Sequence, residues 1–381
     1  MQNKIHYIGP YYEESQKHRN LHIQLSGLAK MDYVLSALRR TGFEINVFSP
    51  APTQNKFLCH YPSVSVTLDS LTKIRYADTI GGPSIIIKLV SRIWSYAQLL
   101  YFLLRIKSNE KILLYHSNQY RYLINLILKI KKINLFIQVE EIYNVIQRKS
   151  IKEQRSEIKY LKCADGYIFV NDIIASHVNL NKKPHIVCYG DYRIKPRKSK
   201  LNNGHINVVF SGLIGDEKSA VYLSLNAANL LPDNYQLHIT GYGSALHIKQ
   251  MINRISLINR QMKREMVIYH GCLNNTDNAD LISTFDIGLA TSDCNSFESL
   301  FMFPSKISVY LGAGISVLAS PLGCIKESRL SPIITLSKDN TPSAIADGIV
   351  SIIVNKTDIN SVLNRLNEEF VNDLIKLFGN K

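Results

Sequence analysis

The chain has 381 residues, 46% of them hydrophobic, which is enough to bury two cores when domains run about 100 to 200 residues. Its formal net charge of +15 sits in one half: residues 1–200 hold 31 Lys and Arg against 14 Asp and Glu, and residues 201–381 hold 14 against 16. The basic half implies an anionic partner; no nucleic-acid-binding motif accompanies it, which argues against nucleic acid and for anionic lipid or a lipid pyrophosphate.

The opening, MQNKIHYIGPYY, has no apolar stretch of signal-peptide length, so the chain is expected to stay in the cytoplasm. KIHYIG (residues 4–9) reads as a first strand closed by Gly9 and Pro10, residues 25–41 as a helix, and FEINVFSP (43–50) as the next strand, a βαβ beginning. Two apolar segments follow, IIIKLVSRIWSYAQLLYFLLRIK (85–107) and YLINLILKIKKINLF (122–136), with Lys88, Arg92, Arg105, Lys129, Lys131 and Lys132 beside bulky side chains. They read either as core helices of an α/β domain or as helices lying in a membrane interface. The uncharged run from Ile93 to Leu104 falls short of the roughly 20 residues needed to cross a bilayer. Further strands are expected at 111–117, 134–141 and 166–171, which with intervening helices gives a parallel sheet.

Residues 189–205 are polar, basic and turn-rich, so a first domain is placed at 1–195. The second, 196–360, repeats the alternation with strands near 206–210, 236–240, 266–270, 287–290 and 316–319. An amphipathic helix over 362–378 ends the chain. The 6 cysteines form no CxxC pair, so neither a disulfide framework nor a zinc site is indicated, and a reducing compartment fits.

The most specific segment is FPSKISVYLGAGISVLAS (303–320). Pro304 suits a first helical turn, and Ser305 and Lys306 place a hydroxyl, free amides and a cation at the positive end of the helix dipole, which favours a phosphate. Gly312 and Gly314 end the helix before a short buried strand. This segment resembles the PSK-x-x-E-Y-L-x-x-G-x-P-V-x-x-S signature of the retaining GT-B glycosyltransferases of family four. VVFSGLIGDEKSAVYLSLNAANL (208–230), LHITGYG (237–243) and HGCLNNTDNADLISTFDIGLAT (270–291) resemble that family's F-x-G-x-L-x-x-E-K-G, L-x-I-x-G-x-G and D-I-G-L stretches, in order and over residues 205–350.

The resemblance implies two Rossmann-like domains facing a cleft, with the terminal helix (361–381) crossing back to the first domain. It implies metal-independent transfer from a nucleotide sugar, a uridine diphosphate sugar, to a lipid-linked oligosaccharide in capsule or O-antigen (lipopolysaccharide) synthesis at the inner membrane face, with no cofactor. Lys218 and Lys306 would neutralise the leaving diphosphate. Gly212, Gly241, Gly243, Phe303, Ser305 and Tyr310 would line the donor site. His116 would sit near the transferred sugar, and Glu140 or Glu141, in QVEEIYN, would face the acceptor. The paired glutamates of the family fall at Phe301 and Val309, and both are missing. Glu298, three residues upstream of the first, could substitute through a shifted loop, and Arg193, Arg197 or a residue of the first domain could replace an arginine that is Leu213 here. A sugar-nucleotide epimerase using Glu140 or Glu141 as acid and base, and a non-catalytic scaffold subunit, are the alternatives.

Overall fold

A computed structural model describes residues 4–179, 181–217, 219–292, 294, 297–352 and 358–379. The chain divides into two compact units, Met1–Cys188 with Glu368–Lys381, and Tyr189–Asn367.

The first unit opens with β1 (Lys4–Ile8), α1 (Leu25–Arg39) and β2 (Glu44–Ser49), then a run of short strands, β3 (Cys59–Tyr61), β4 (Val64–Thr67), β5 (Thr72–Tyr76) and β6 (Thr79–Gly81). After α2 (Ile85–Arg105) come β7 (Lys111–Tyr115), α3 (Arg121–Ile130), β8 (Asn134–Val139), α4 (Tyr143–Ile146), α5 (Ile151–Leu161), β9 (Gly166–Phe169), α6 (Asp172–Val178) and β10 (His185–Val187). Eight strands form one sheet in the order β10-β9-β8-β7-β1-β2-β5-β4, parallel except for the edge strand β4. Its central strands are continuous apolar runs: Ile112, Leu113 and Leu114 are all solvent-free, as expected of a parallel sheet covered on both faces. Helix starts are set locally. Ser84 accepts from the Ile86 and Ile87 amides, and Ser150 with Glu153 forms a capping box at α5.

The second unit carries β11 (Ile206–Ile214), α7 (Ala220–Ala228), β12 (Tyr235–Gly243), α8 (Ala245–Met262), β13 (Val267–Tyr269), α9 (Asn275–Ile282) and β14 (Ile287–Ala290). It continues through α10 (Ser305–Gly312), β15 (Ser316–Ala319), α11 (Gly323–Lys326), β16 (Thr335–Leu336) and α12 (Pro342–Ser351). Its six strands are all parallel, in the order β13-β12-β11-β14-β15-β16. Val208, Leu225, Leu237, Ile239, Met251 and Ile345 anchor its core.

The division falls before Tyr189 rather than at residue 195, because the connecting segment packs on the second unit. The Tyr189 ring lies 5.4 Å from that of Phe303, and the Lys195 amide donates to the Gly312 carbonyl at 2.8 Å. The terminal helix α13 (Ile359–Gly379) begins in the second unit and ends in the first. Its last part stacks Phe370 on Tyr33 and sets Phe378 against Phe136. Among the described residues, no helix is long and apolar enough to cross a membrane.

Candidate functional site

In the second unit the strand order reverses between β11 and β14: the chain runs outward through β12 and β13, then returns to lay β14, β15 and β16 on the other side. The carboxyl ends of β11 and β14 therefore flank the crevice where open α/β sheets bind ligands. Helix α10 is fastened beside it. The Ser211 amide of β11 donates to the Tyr310 hydroxyl at 2.9 Å, and that hydroxyl lies 3.5 Å from the Leu289 carbonyl of β14. Gly288 lets the ring lie on the strand, since a Cβ there would stand 2.4 Å from it. At its other end α10 closes in a Schellman turn. Gly314, at φ +70°, donates to Leu311, and Ile315 donates to Tyr310.

This clamping brings Lys306, in the first turn of α10, over β11. Its ammonium lies 3.6 Å from the centroid of the Phe210 ring, and a Cβ on Gly212 would meet its Cε at 2.8 Å. Lys306 is half-buried, and among the described residues no carboxylate pairs with it. Burial alone brings its amine down to about 7. The arrangement is a desolvated cation on an aromatic bed at a helix start, a combination whose electrostatics suit an anion.

Other residues expected at the donor are supports. Gly241 and Gly243 are required by the sheet: a Cβ on Gly241 would lie 1.8 Å from the Gly212 carbonyl oxygen, and one on Gly243 would lie 2.3 Å from the Ile214 oxygen. The close approach they permit is by β11, not by a ligand. Gly212 makes room for the Lys306 stem. Phe303 and Tyr310 are buried, the first against Tyr189 and the second in its two hydrogen bonds, so neither offers a surface to a nucleotide. Ser305 is exposed at the start of α10.

Lys218 lies outside the described residues, as does the side chain of Glu298, whose backbone is in the 3-10 turn Phe297–Phe301. Phe301, where the family carries a glutamate, is a core residue at 3% exposure. Arg193 is committed to Asp191 through two bonds of 2.9 and 2.8 Å, and Arg197 to the Ser283 and Phe285 carbonyls. Neither stands in for the missing arginine.

In the first unit the strand order reverses between β1 and β7. Beyond β8 the two glutamates part company. Glu140 is buried and held by Lys30 at 2.5 Å and by the Gln138 amide at 2.6 Å, while Gln138 accepts from the Tyr7 hydroxyl at 2.5 Å. Glu141 is half-buried with no described ion-pair partner, and burial followed by the Glu140 charge raises its carboxyl. Both lie past the end of β8, so strand alternation does not separate them; the Lys30 ion pair does.

His116 is sealed at 1% exposure. Its Nδ1 lies 3.1 Å from the Glu141 carbonyl oxygen and its Nε2 3.4 Å from Glu157, whose carboxylate accepts the Tyr143 and Asn144 amides at the start of α4. Burial takes its imidazole down to about 4, so it is neutral. His116 thus supports the loop carrying Glu141 and does not reach a sugar, a correction to its expected contact.

Sequence reading passed over Phe210, whose place two residues before Gly212 in a strand puts it on the same face and was the available signal. It also passed over Asn278, which joins Thr240 at 2.5 Å and Ser211 at 3.2 Å across the ends of β11 and β12.

By sequence, no protein-family profile and no curated protein matches the chain. Solved structures match it almost end to end. A structure described as trehalose-6-phosphate from E. coli bound with UDP-2-fluoro glucose superposes with a TM-score of 0.62 at 10% identity, covering 98% of this chain and 96% of the other. The α,α-trehalose 6-phosphate synthase from Burkholderia multivorans gives 0.64 at 9% identity, covering 99% and 97%. The fold is GT-B. HepE from Anabaena in complex with UDP agrees, at 0.60 and 11% identity over 98% of each chain. Both doubly wound units of this GT-B chain are therefore accounted for, and Lys306 lies at the switch point of its second unit.

Proposed function

We propose that this GT-B chain is a retaining glycosyltransferase that moves a sugar from a uridine diphosphate sugar to a lipid-linked oligosaccharide in bacterial capsule or O-antigen assembly, at the cytoplasmic face of the membrane. The observation that carries the reading is Lys306, a cation that no described carboxylate pairs, at the helix start beside a sheet switch point. Support comes from similar structures that hold UDP-2-fluoro glucose or UDP. In this reading the bond from the anomeric carbon to the diphosphate oxygen breaks as the acceptor hydroxyl bonds to the same face of that carbon, and the hydroxyl proton passes to the departing phosphate oxygen. Lys306, the first-turn amides at Ser305 and, by resemblance, Lys218 stabilise the charge that develops on the diphosphate, with no metal ion. Glu141 is assigned to an acceptor hydroxyl, and Glu140 to holding the loop through Lys30. The ion pair that occupies Glu140 speaks against an epimerase using both carboxylates.

The test is thermal melting of the chain with UDP, UDP-sugars and other nucleotide diphosphates, in chelator. A nucleotide at about 100 times its dissociation constant adds roughly 2.7 kcal/mol to the folded state. A chelator-resistant shift with a uridine nucleotide is expected, lost in Lys306→Ala and kept in Arg193→Ala. Absence of a shift with every nucleotide would overturn the donor assignment.

A further inference from the structure

The first half of helix α2 is turned inside out, although Leu99 and Leu103 of its second half are fully buried. A surface helix normally buries its bulky apolar stripe and exposes its polar residues. Here the residues facing the protein in its first half are Ser91 and Ser95, at 2% and 4% exposure, while Ile85, Leu89 and Ile93 on one outer face are 82%, 57% and 58% exposed. The serines are fixed inward: the Ser91 hydroxyl lies 3.1 Å from that of Thr79, and Ser95 donates to the Pro50 carbonyl. Phe57 and Leu58 extend the patch, at 62% and 76% exposure. Their loop adjoins the start of α2, because Gly82 donates to the Asn55 carbonyl at 3.1 Å and a Cβ on Gly82 would touch Ile87 at 2.6 Å.

We propose that this face of α2, with Phe57 and Leu58 at its end, seats the protein on an anionic lipid surface. The proposal deepens the membrane part of the function proposed above and stands apart from its donor chemistry. A contiguous exposed apolar patch of this kind marks an interaction site. Charge chooses the occupant: α2 contains no Asp or Glu, and Lys88 and Arg92 are exposed along the stripe. A second copy docked through the same helix would set these cations against their own kind, since α2 brings no carboxylate of its own, whereas anionic headgroups meet both cations and the acyl boundary takes the isoleucines. The helix does not span, so it lies in the interface plane. Trp94 fits that level, its Nε1 donating to Asp78 at 3.0 Å while the ring is 48% exposed.

Trp94 is the only tryptophan of the chain, so the intact protein reports on its own seat. Its emission is to be followed with vesicles of phosphatidylcholine alone and of phosphatidylcholine with phosphatidylglycerol, and with brominated lipid as quencher. Expected are a blue shift and quenching on anionic vesicles only, weakened by salt. Leu89→Ser/Ile93→Ser and Lys88→Glu/Arg92→Glu should each reduce binding by about tenfold or more, with unchanged melting temperature and unchanged response to UDP. Equal binding to neutral vesicles, unaltered binding by both double variants, or a lipid-independent emission shift that follows protein concentration would overturn the proposal. Lipid binding without any nucleotide response would sink the donor assignment and leave the seat standing.

Discussion

The two carboxyl-end crevices of this chain treat their lysines in opposite ways. In the first unit Lys30 is tied to Glu140, which Gln138 and Tyr7 continue into a closed chain of hydrogen bonds. In the second, Lys306 meets an aromatic ring and no described carboxylate. A charge whose demand is met inside the protein stiffens the place where it sits. One left unmet keeps binding energy in reserve for something arriving from outside. Geometry around each lysine, not the presence of a lysine, separates scaffold from site.

Three experiments sharpen or break that contrast. The largest effect belongs to the frame of the second crevice. Gly241→Ala would set a Cβ 1.8 Å from the Gly212 oxygen at φ +154°, and a loss of more than about 4 kcal/mol, or failure to fold, is expected in urea melts. Near-native stability would mean that the β11–β12 contact is looser than described. Next, Lys30→Met strands a buried carboxylate and should destabilise by about 3 kcal/mol, most of it regained in Lys30→Met/Glu140→Gln. If the single variant melts like the parent, the network of the first unit is not closed.

Lys306→Met should move stability the other way. The folded amine is depressed to about 7, so from there up to its ordinary range the unfolded chain binds more protons and stability rises with pH. Below about 7 the folded protein bears the full cost of burying a charged ammonium. The variant is therefore expected to melt higher than the parent at about pH 6, with the gain shrinking as pH climbs from about 7 towards 10. A pH-independent difference, or a lower melting point, would show that Lys306 is satisfied in the unliganded protein.

What could be read from the sequence was local chemistry. Pro304, Ser305 and Gly314 announce where α10 starts and stops, because helix ends depend on a few neighbouring residues. The strands at 287–290 and 316–319 emerge from continuous apolar runs. Val64–Thr67 alternates half-buried with exposed positions and Thr72–Tyr76 buried with exposed ones, a period-two signal that marks two strands beyond those expected from the sequence. What could not be read is which residues meet from afar. That Gly241 abuts Gly212, that Lys306 rests on Phe210, and that His116 is sealed behind Glu157 all depend on strand neighbours far apart along the chain. A histidine after a strand looks the same in sequence whether it faces a ligand or a carboxylate in the core.

Helix α13 also sets a timetable for synthesis. Phe370 and Phe378 complete the packing around Tyr33 and Phe136, and Glu368 meets Arg40 at 2.6 Å, yet these residues follow the whole second unit along the chain. The portion of the chain that leaves the ribosome first must wait, its core unfinished, until all of the second unit has been translated. Stopping translation after Asn367 would leave the second unit whole and wound the first.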